Sequence, residues 1–204
     1  MKATRFFMIA AIAGSMLAGC KKNKDDTGQQ DVLINGVIWA SRNLDTKDHF
    51  AAHPESSGRF FQWNRNTPWA TTGSVTGWLT STAAGAEWEA MNDPCPEGYR
   101  VPTKADFQKL IDATEYKWTT VKGVKGGLFK DKVTGKSIFL PAVGGRQGSD
   151  GVVYHTDTQG AYWSSVPFSM SSDAAWAFIF DDSWESVENN PGKDWGFCIR
   201  CVKK

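Results

Sequence analysis

Apolar residues in this chain rarely recur at helical spacing over any length, and that scarcity limits what it can fold into. Ten Trp, twelve Phe and twenty Gly occur in 204 residues. Such a composition predicts a β-rich, loop-rich domain whose core is built from aromatic rings. Val32-Leu33-Ile34 and Val37-Ile38-Trp39 flank Asn35-Gly36. Asn-Gly supplies the two positive-φ positions of a type I′ turn, so this segment reads as a β-hairpin. Its apolar runs are nearly continuous, which suits strands covered on both faces. Further strands are expected at 58–65, 127–130, 137–140, 161–165, 175–180 and 196–202, with a turn at Thr134-Gly135 and a loop over 144–151.

One helix stands out. Pro102 precedes Thr103, and Asp106 sits three residues on, as in a capping box with Asp in place of Glu. Phe107, Leu110 and Ile111 then make one apolar face. The pattern predicts a helix over about 103–116. Residues 66–92 are rich in Thr, Gly, Ser and Ala and carry Trp69, Trp78 and Trp88. They read as a long irregular excursion with a short helix near 83–91, either a functional loop or an inert insertion.

The N-terminus reads as an export signal. Lys2 and Arg5 precede the apolar run Phe6-Phe7-Met8-Ile9-Ala10-Ala11-Ile12-Ala13, which is too short to span a membrane. Leu17-Ala18-Gly19-Cys20 resembles the bacterial lipobox, in which cleavage precedes the cysteine and its thiol receives diacylglycerol. Residues 1–19 are therefore expected to be a lipoprotein signal peptide and Cys20 the lipidation site. Two or three acyl chains, each buried methylene contributing about 0.8 kcal/mol, would hold the protein on a membrane. Residues 20–30 are polar and charged and read as a flexible tether. Within them Lys24-Asp25-Asp26 resembles the signal that sends Bacteroidetes lipoproteins to the cell surface; it reads equally as a plain solvated linker, which would leave the domain on the periplasmic face. Residues 31–204 then form one domain. The full chain carries +1, and the leader holds two cations and no acid, so the mature chain carries −1. Such a balance argues against nucleic acid as a partner.

With Cys20 acylated, Cys95, Cys198 and Cys201 remain, in a compartment that permits disulfides. Cys198 and Cys201 are three apart in an expected strand. Their Cα atoms would lie about 10 Å apart with side chains on opposite faces. A disulfide needs Cα atoms within about 7 Å, so these two should not bond to each other. Either can pair with Cys95, or all three can stay reduced.

Several segments together resemble one family. They are Trp39-Ala40-Ser41-Arg42-Asn43-Leu44, Asp93-Pro94-Cys95-Pro96-Glu97-Gly98-Tyr99-Arg100-Val101-Pro102-Thr103, Leu140-Pro141-Ala142-Val143-Gly144-Gly145-Arg146, Gly160-Ala161-Tyr162-Trp163-Ser164-Ser165 and Ile199-Arg200-Cys201-Val202. In kind and order they are similar to the Fibrobacter succinogenes major paralogous domain. The resemblance runs from about 32 to 203. It implies an α+β, C-type-lectin-like fold akin to the sulfatase-modifying (formylglycine-generating) enzymes, with mostly short antiparallel strands, long loops and one helix. It also implies that Cys201 is the partner of Cys95, because Arg-Cys-Val is the recurrent ending. Cys198 is then a spare. Such a bridge closes a loop of about 100 residues and contributes about 4–5 kcal/mol in the chain-entropy treatment.

Chemistry is harder to find. Cys198-x-x-Cys201 lies in a β context rather than at a helix start, against a redox pair. The copper-binding cysteine pair of the modifying enzymes has no counterpart. His49 and His53 have i, i+4 spacing, but Pro54 and polar neighbours place them in a loop, and His155 is distant. Asp181, Asp182, Glu185 and Glu188 read as a solvated turn in preference to a cation site. No Ser-His-Asp arrangement, P-loop or dinucleotide fingerprint is present. No catalytic residue, metal ligand or cofactor is expected. Trp39, Trp63, Trp163 and Trp176 lie in expected strands and are assigned to the core. Trp69, Trp78 and Trp184 lie in polar loops and are the candidate ligand-binding residues, with burial under the loop as the alternative. The expectation is a lipid-anchored, extracytoplasmic, non-catalytic binding or adhesion module for a glycan or a surface protein, in the outer membrane and facing the cell exterior or the periplasm. The alternatives are an enzyme of the sulfatase-modifying type and a structural subunit of a surface assembly.

Overall fold

The computed structural model describes residues 30–204; the leader, Cys20 and the tether up to residue 29 lie outside them. Chain order is β1 (Val32–Ile34), β2 (Val37–Trp39), β3 (Leu44–Thr46), β4 (His49–Phe50), β5 (Phe61–Gln62), a 3-10 turn at Ala90–Asn92, β6 (Tyr99–Arg100), α1 (Lys104–Ala113), β7 (Thr114–Val121), β8 (Val124–Asp131), β9 (Ser137–Pro141), β10 (Gly145–Arg146), β11 (Val153–Tyr154), β12 (Gly160–Pro167), β13 (Ala175–Phe180), β14 (Glu185–Asn189), β15 (Gly196–Phe197) and β16 (Val202–Lys203). The strands form small sheets in the orders β1-β2-β16-β6, β11-β10-β15-β5, β12-β13-β14, β3-β4 and β7-β8-β9. All the paired strands are antiparallel. The class is α+β.

Local chemistry explains the best-formed elements. Asn35 and Gly36 take φ of 47° and 78° and close the β1–β2 hairpin in the register Ile34↔Val37. At α1 the Thr103 hydroxyl accepts the Asp106 N–H, and Asp106 accepts the Thr103 N–H at 2.8 Å. Arg100 adds an ion pair to the same carboxylate at 2.7 Å.

The structure corrects the far end of that helix. It stops at Ala113, and Tyr116 belongs to β7. Thr114 turns extended and donates its hydroxyl to the Leu110 carbonyl at 2.7 Å. From there the pattern has a period of two: Glu115 and Lys117 are exposed, while Tyr116 and Trp118 pack on the core. Lys122 and Gly123, at φ of 47° and 87°, then make a second tight turn into β8. The helix expected at 83–91 is reduced to the 3-10 turn. The strand expected at 196–202 is broken in two, because its halves serve different sheets: Phe197 pairs with Phe61, and Val202 pairs with Trp39 and Arg100.

Alternation along the central strands divides two cores. Tyr162, Phe178 and Phe180 point into one, with Trp39, Phe107 and Phe129. Ala161, Trp163, Ala175 and Ala177 point into the other, with Phe61, Trp63 and Ile199. The β12–β13 pair is therefore covered on both faces, which accounts for its continuous apolar runs. Trp39, Trp63 and Trp163 are fully buried. Trp176 is not in the core: it is half-buried, with the Lys104 ammonium 3.5 Å above its ring.

Cys95 and Cys201 form a disulfide across a sequence separation of 106. Cys198 is a buried free thiol on the opposite core, its pKa pushed up to about 12 by burial. Cys201→Ser is expected to lower stability by about 4–5 kcal/mol in urea unfolding; a loss below about 1 kcal/mol would mean the bridge does not restrain the unfolded chain. A second expectation concerns acid. Burial alone would raise the Asp106 pKa, but the hydrogen bonds from Arg100 and Thr103 outweigh it and the net shift is down. Stability from this cluster is full above the ordinary carboxylate range and is lost as pH falls through the lowered pKa. Asp106→Asn should flatten that acid limb in a plot of Tm against pH.

Candidate functional site

Residues 66–92 carry a backbone with almost no ladder to join, apart from the Phe60–Trp69 bridge and the 3-10 turn. Their carbonyls still need donors. Buried side chains of the scaffold supply them. Arg146 donates to the Ala70, Thr72 and Gly73 carbonyls at 2.7, 3.0 and 2.8 Å, and to its neighbour Gly151. Gln62 donates to Leu79 at 2.5 Å, Asn64 to Ala84 at 3.0 Å and Lys193 to Gly85 at 3.1 Å. Asn64 sits at φ of 55°, a region Asn tolerates better than most residues, and its Oδ1 accepts the Glu89 N–H. The excursion is thus clipped down carbonyl by carbonyl.

The clipping leaves a groove of about 770 Å³ between the 82–86 strip and the 167–173 turn. Thr82, Ser169, Ser171, Ser172 and Asp173 give it a polar rim, Pro167 and Phe168 an apolar wall, and Lys193 lines it as well. One Asp173 oxygen accepts the Thr82 and Ser172 hydroxyls at 3.2 and 3.4 Å, so it ties the two walls together. Lys193 is only 1% exposed, and its Nζ lies 4.3 Å from the centre of the Trp63 ring. Burial pulls its pKa down, partly offset by the field of Asp173. On the other side of the strip is a second cavity of about 400 Å³, lined by Asn64, Arg65, Asn66, Thr67, Glu89 and Asn92. Ala83 and Ala84 border both.

The three candidate tryptophans do not form one platform. Trp69 and Trp78 meet edge to face at 5.1 Å. Trp69 packs on the first core, and Trp78 lies flat against Gly151 and Gly196, where an added Cβ would approach the indole to 2.7 Å. The Trp78 N–H donates to the Gly148 carbonyl, so this ring also holds the loop down. Trp184 is 38% exposed in the turn between β13 and β14 and has no ring contact with either. In that turn Asp181 accepts the Ser183 and Trp184 N–H groups at 2.9 and 3.1 Å, which occupies the carboxylate locally. Glu188 pairs with Lys104. His49 lies in β4, not on a helix with His53. Among the described residues no group of three or more His, Cys, Asp or Glu is placed to hold a metal ion. Lys193 was not legible as a site residue: it follows Asn-Pro-Gly, a stretch that reads as a solvated turn.

Residues 32–203 match the profile of the Fibrobacter succinogenes major domain. The chain belongs to that family. No match was found among curated proteins or among solved structures. In this Fibrobacter succinogenes major domain the segments that carry the resemblance are scaffold. Arg200 is fully buried and donates to Asn43 Oδ1 at 2.9 Å, the Ala40 carbonyl at 3.2 Å and the Phe139 carbonyl at 3.0 Å. Asn43 in turn donates to the Ser57 carbonyl and the Tyr162 hydroxyl, which donates to Pro141. Asp93 accepts the Cys95 and Val101 N–H groups. Trp163 donates to the Phe61 carbonyl and Trp63 to the Ser164 carbonyl. Side chains of this kind are engaged in holding the fold.

Arg146→Met removes every donor to Ala70, Thr72 and Gly73 from this side chain. An unmet buried carbonyl costs about 1–3 kcal/mol, so the loop should lift into water instead. Limited proteolysis is expected to cut within 66–92 about tenfold faster, with cleavage elsewhere unchanged. Uniform acceleration over the whole chain would show that Arg146 supports the core rather than the loop.

Proposed function

We propose that this chain is a non-catalytic binding module of C-type-lectin-like architecture, lipid-anchored through Cys20 outside the cytoplasm, which takes a glycan in the groove between 82–86 and 167–173. The groove's chemistry carries the reading. A sugar ring presents hydroxyls at its edge and C–H bonds on its face. Here hydroxyls and a carboxylate line the rim while Phe168 and Pro167 offer an apolar wall. The groove, of about 770 Å³, is a shallow and open depression rather than an enclosed cavity. The groove's residues lie outside the short segments that carry the family likeness.

The lipobox at Leu17-Ala18-Gly19-Cys20 supports the anchor. Cys20→Ala is expected to shift the protein from the membrane fraction to the soluble one; retention on the membrane would remove that part of the reading. The glycan part is tested by screening the full chain on a glycan array. Phe168→Ala should weaken any positive by about tenfold, the order expected for losing an aromatic wall. An array that stays blank, with a stable protein complex recovered from cells, would point to a protein ligand instead.

A further inference from the structure

The geometry points to an acidic glycan as the ligand, its carboxylate seated on Lys193. This rests on the glycan reading and adds the charge of the sugar. Four buried side chains clip the 66–92 excursion to the scaffold, and their donors are used unequally. Gln62 and Asn64 do it with neutral amides. Arg146 is a cation, but all of its nitrogens donate to carbonyls. Lys193 is the exception. Its ammonium has three N–H donors and one protein acceptor, Gly85, with the Trp63 ring beside it. Among the described residues no carboxylate makes an ion pair with it.

Holding Gly85 in place needs no charge, as the two amides show. A buried cation without a counter-ion is costly, and that cost is recovered when an anion arrives. Lys193 lines the larger groove, where hydroxyls of Ser169, Ser171 and Ser172 can meet the same ligand. Asp173 is the nearby acid. Its Oδ1 is engaged by Thr82 and Ser172, its backbone carbonyl accepts the Lys193 backbone N–H at 2.7 Å, and its carboxylate reaches the Lys193 ammonium only through its field. It is suited to accept a sugar hydroxyl, which sets the acid group of the ligand on the Lys193 side.

The test is calorimetric titration of the full chain with trigalacturonic acid, its methyl ester and neutral maltotriose. The acid should bind about tenfold or more tightly than the ester, as expected when a charge-assisted hydrogen bond is lost, and the gap should narrow with added salt. Lys193→Met should abolish the difference and Lys193→Arg should keep most of it. Equal binding of acid and ester to the unaltered chain overturns the charge assignment and leaves the glycan reading standing. Failure of every saccharide overturns the glycan reading itself. Should Lys193→Met fail to fold, as judged by its thermal transition, the comparison of acid and ester on the unaltered chain still decides.

Discussion

Arg200 has no exposed surface, and a guanidinium taken out of water must have its N–H groups met. It meets them with Asn43, with the carbonyl just after β2 and with a carbonyl of β9. Those partners come from places no single sheet connects. Burial lowers the Arg200 pKa to about 10, so the group stays charged at neutral pH and its hydrogen bonds remain charge-assisted. The fold needs such a device. Most of its strands are short, its sheets are small and carbonyls are left over wherever a strand ends. Arg200 gathers them at the centre of the molecule, and Arg146 gathers them under the long excursion. Where other α+β domains rely on extended ladders, this one relies on buried polar side chains that each reach several carbonyls.

That economy explains what the sequence revealed and what it hid. The β1–β2 hairpin was legible because Asn35-Gly36 encodes its own turn. The start of α1 was legible because the capping box is local. The end of α1 was not: Thr114, Glu115 and Tyr116 contain no breaker, and the ladder with β8 together with the packing of Tyr116 and Trp118 makes the segment a strand. The stretch 196–202 looked like one strand because Phe197, Cys198, Ile199, Cys201 and Val202 make a short apolar run without an internal breaker. Its break is imposed by two sheets competing for its halves. The pairing of Cys95 with Cys201 followed from family likeness; spacing alone excluded only Cys198 with Cys201.

The groove was the least legible part, and for a physical reason. Its walls come from 82–86, 167–173 and Lys193, segments of unremarkable polar composition that meet only in three dimensions. The tryptophans drew attention because of their size. Two of them proved to be fasteners, Trp78 above all, whose ring occupies the space left by Gly151 and Gly196. In a core this aromatic, a loop indole is more useful as an anchor for its own loop than as a free platform.

The scaffold also sets how the groove responds to a ligand. The 82–86 strip is held from both sides, by Asn64 at Ala84 and by Lys193 at Gly85. Ordering of the strip is therefore largely complete before anything binds, and a ligand need not supply that entropy. Lys193 is part of both the fastening and the groove lining. On the acidic-glycan reading the two roles are linked: a carboxylate at Nζ favours the charged, clipped state of the lysine, and the clipped state presents the charge to the carboxylate. Linkage of this kind is reciprocal. The strip should be most ordered when the acid is bound, and the acid most tightly held when the strip is closed.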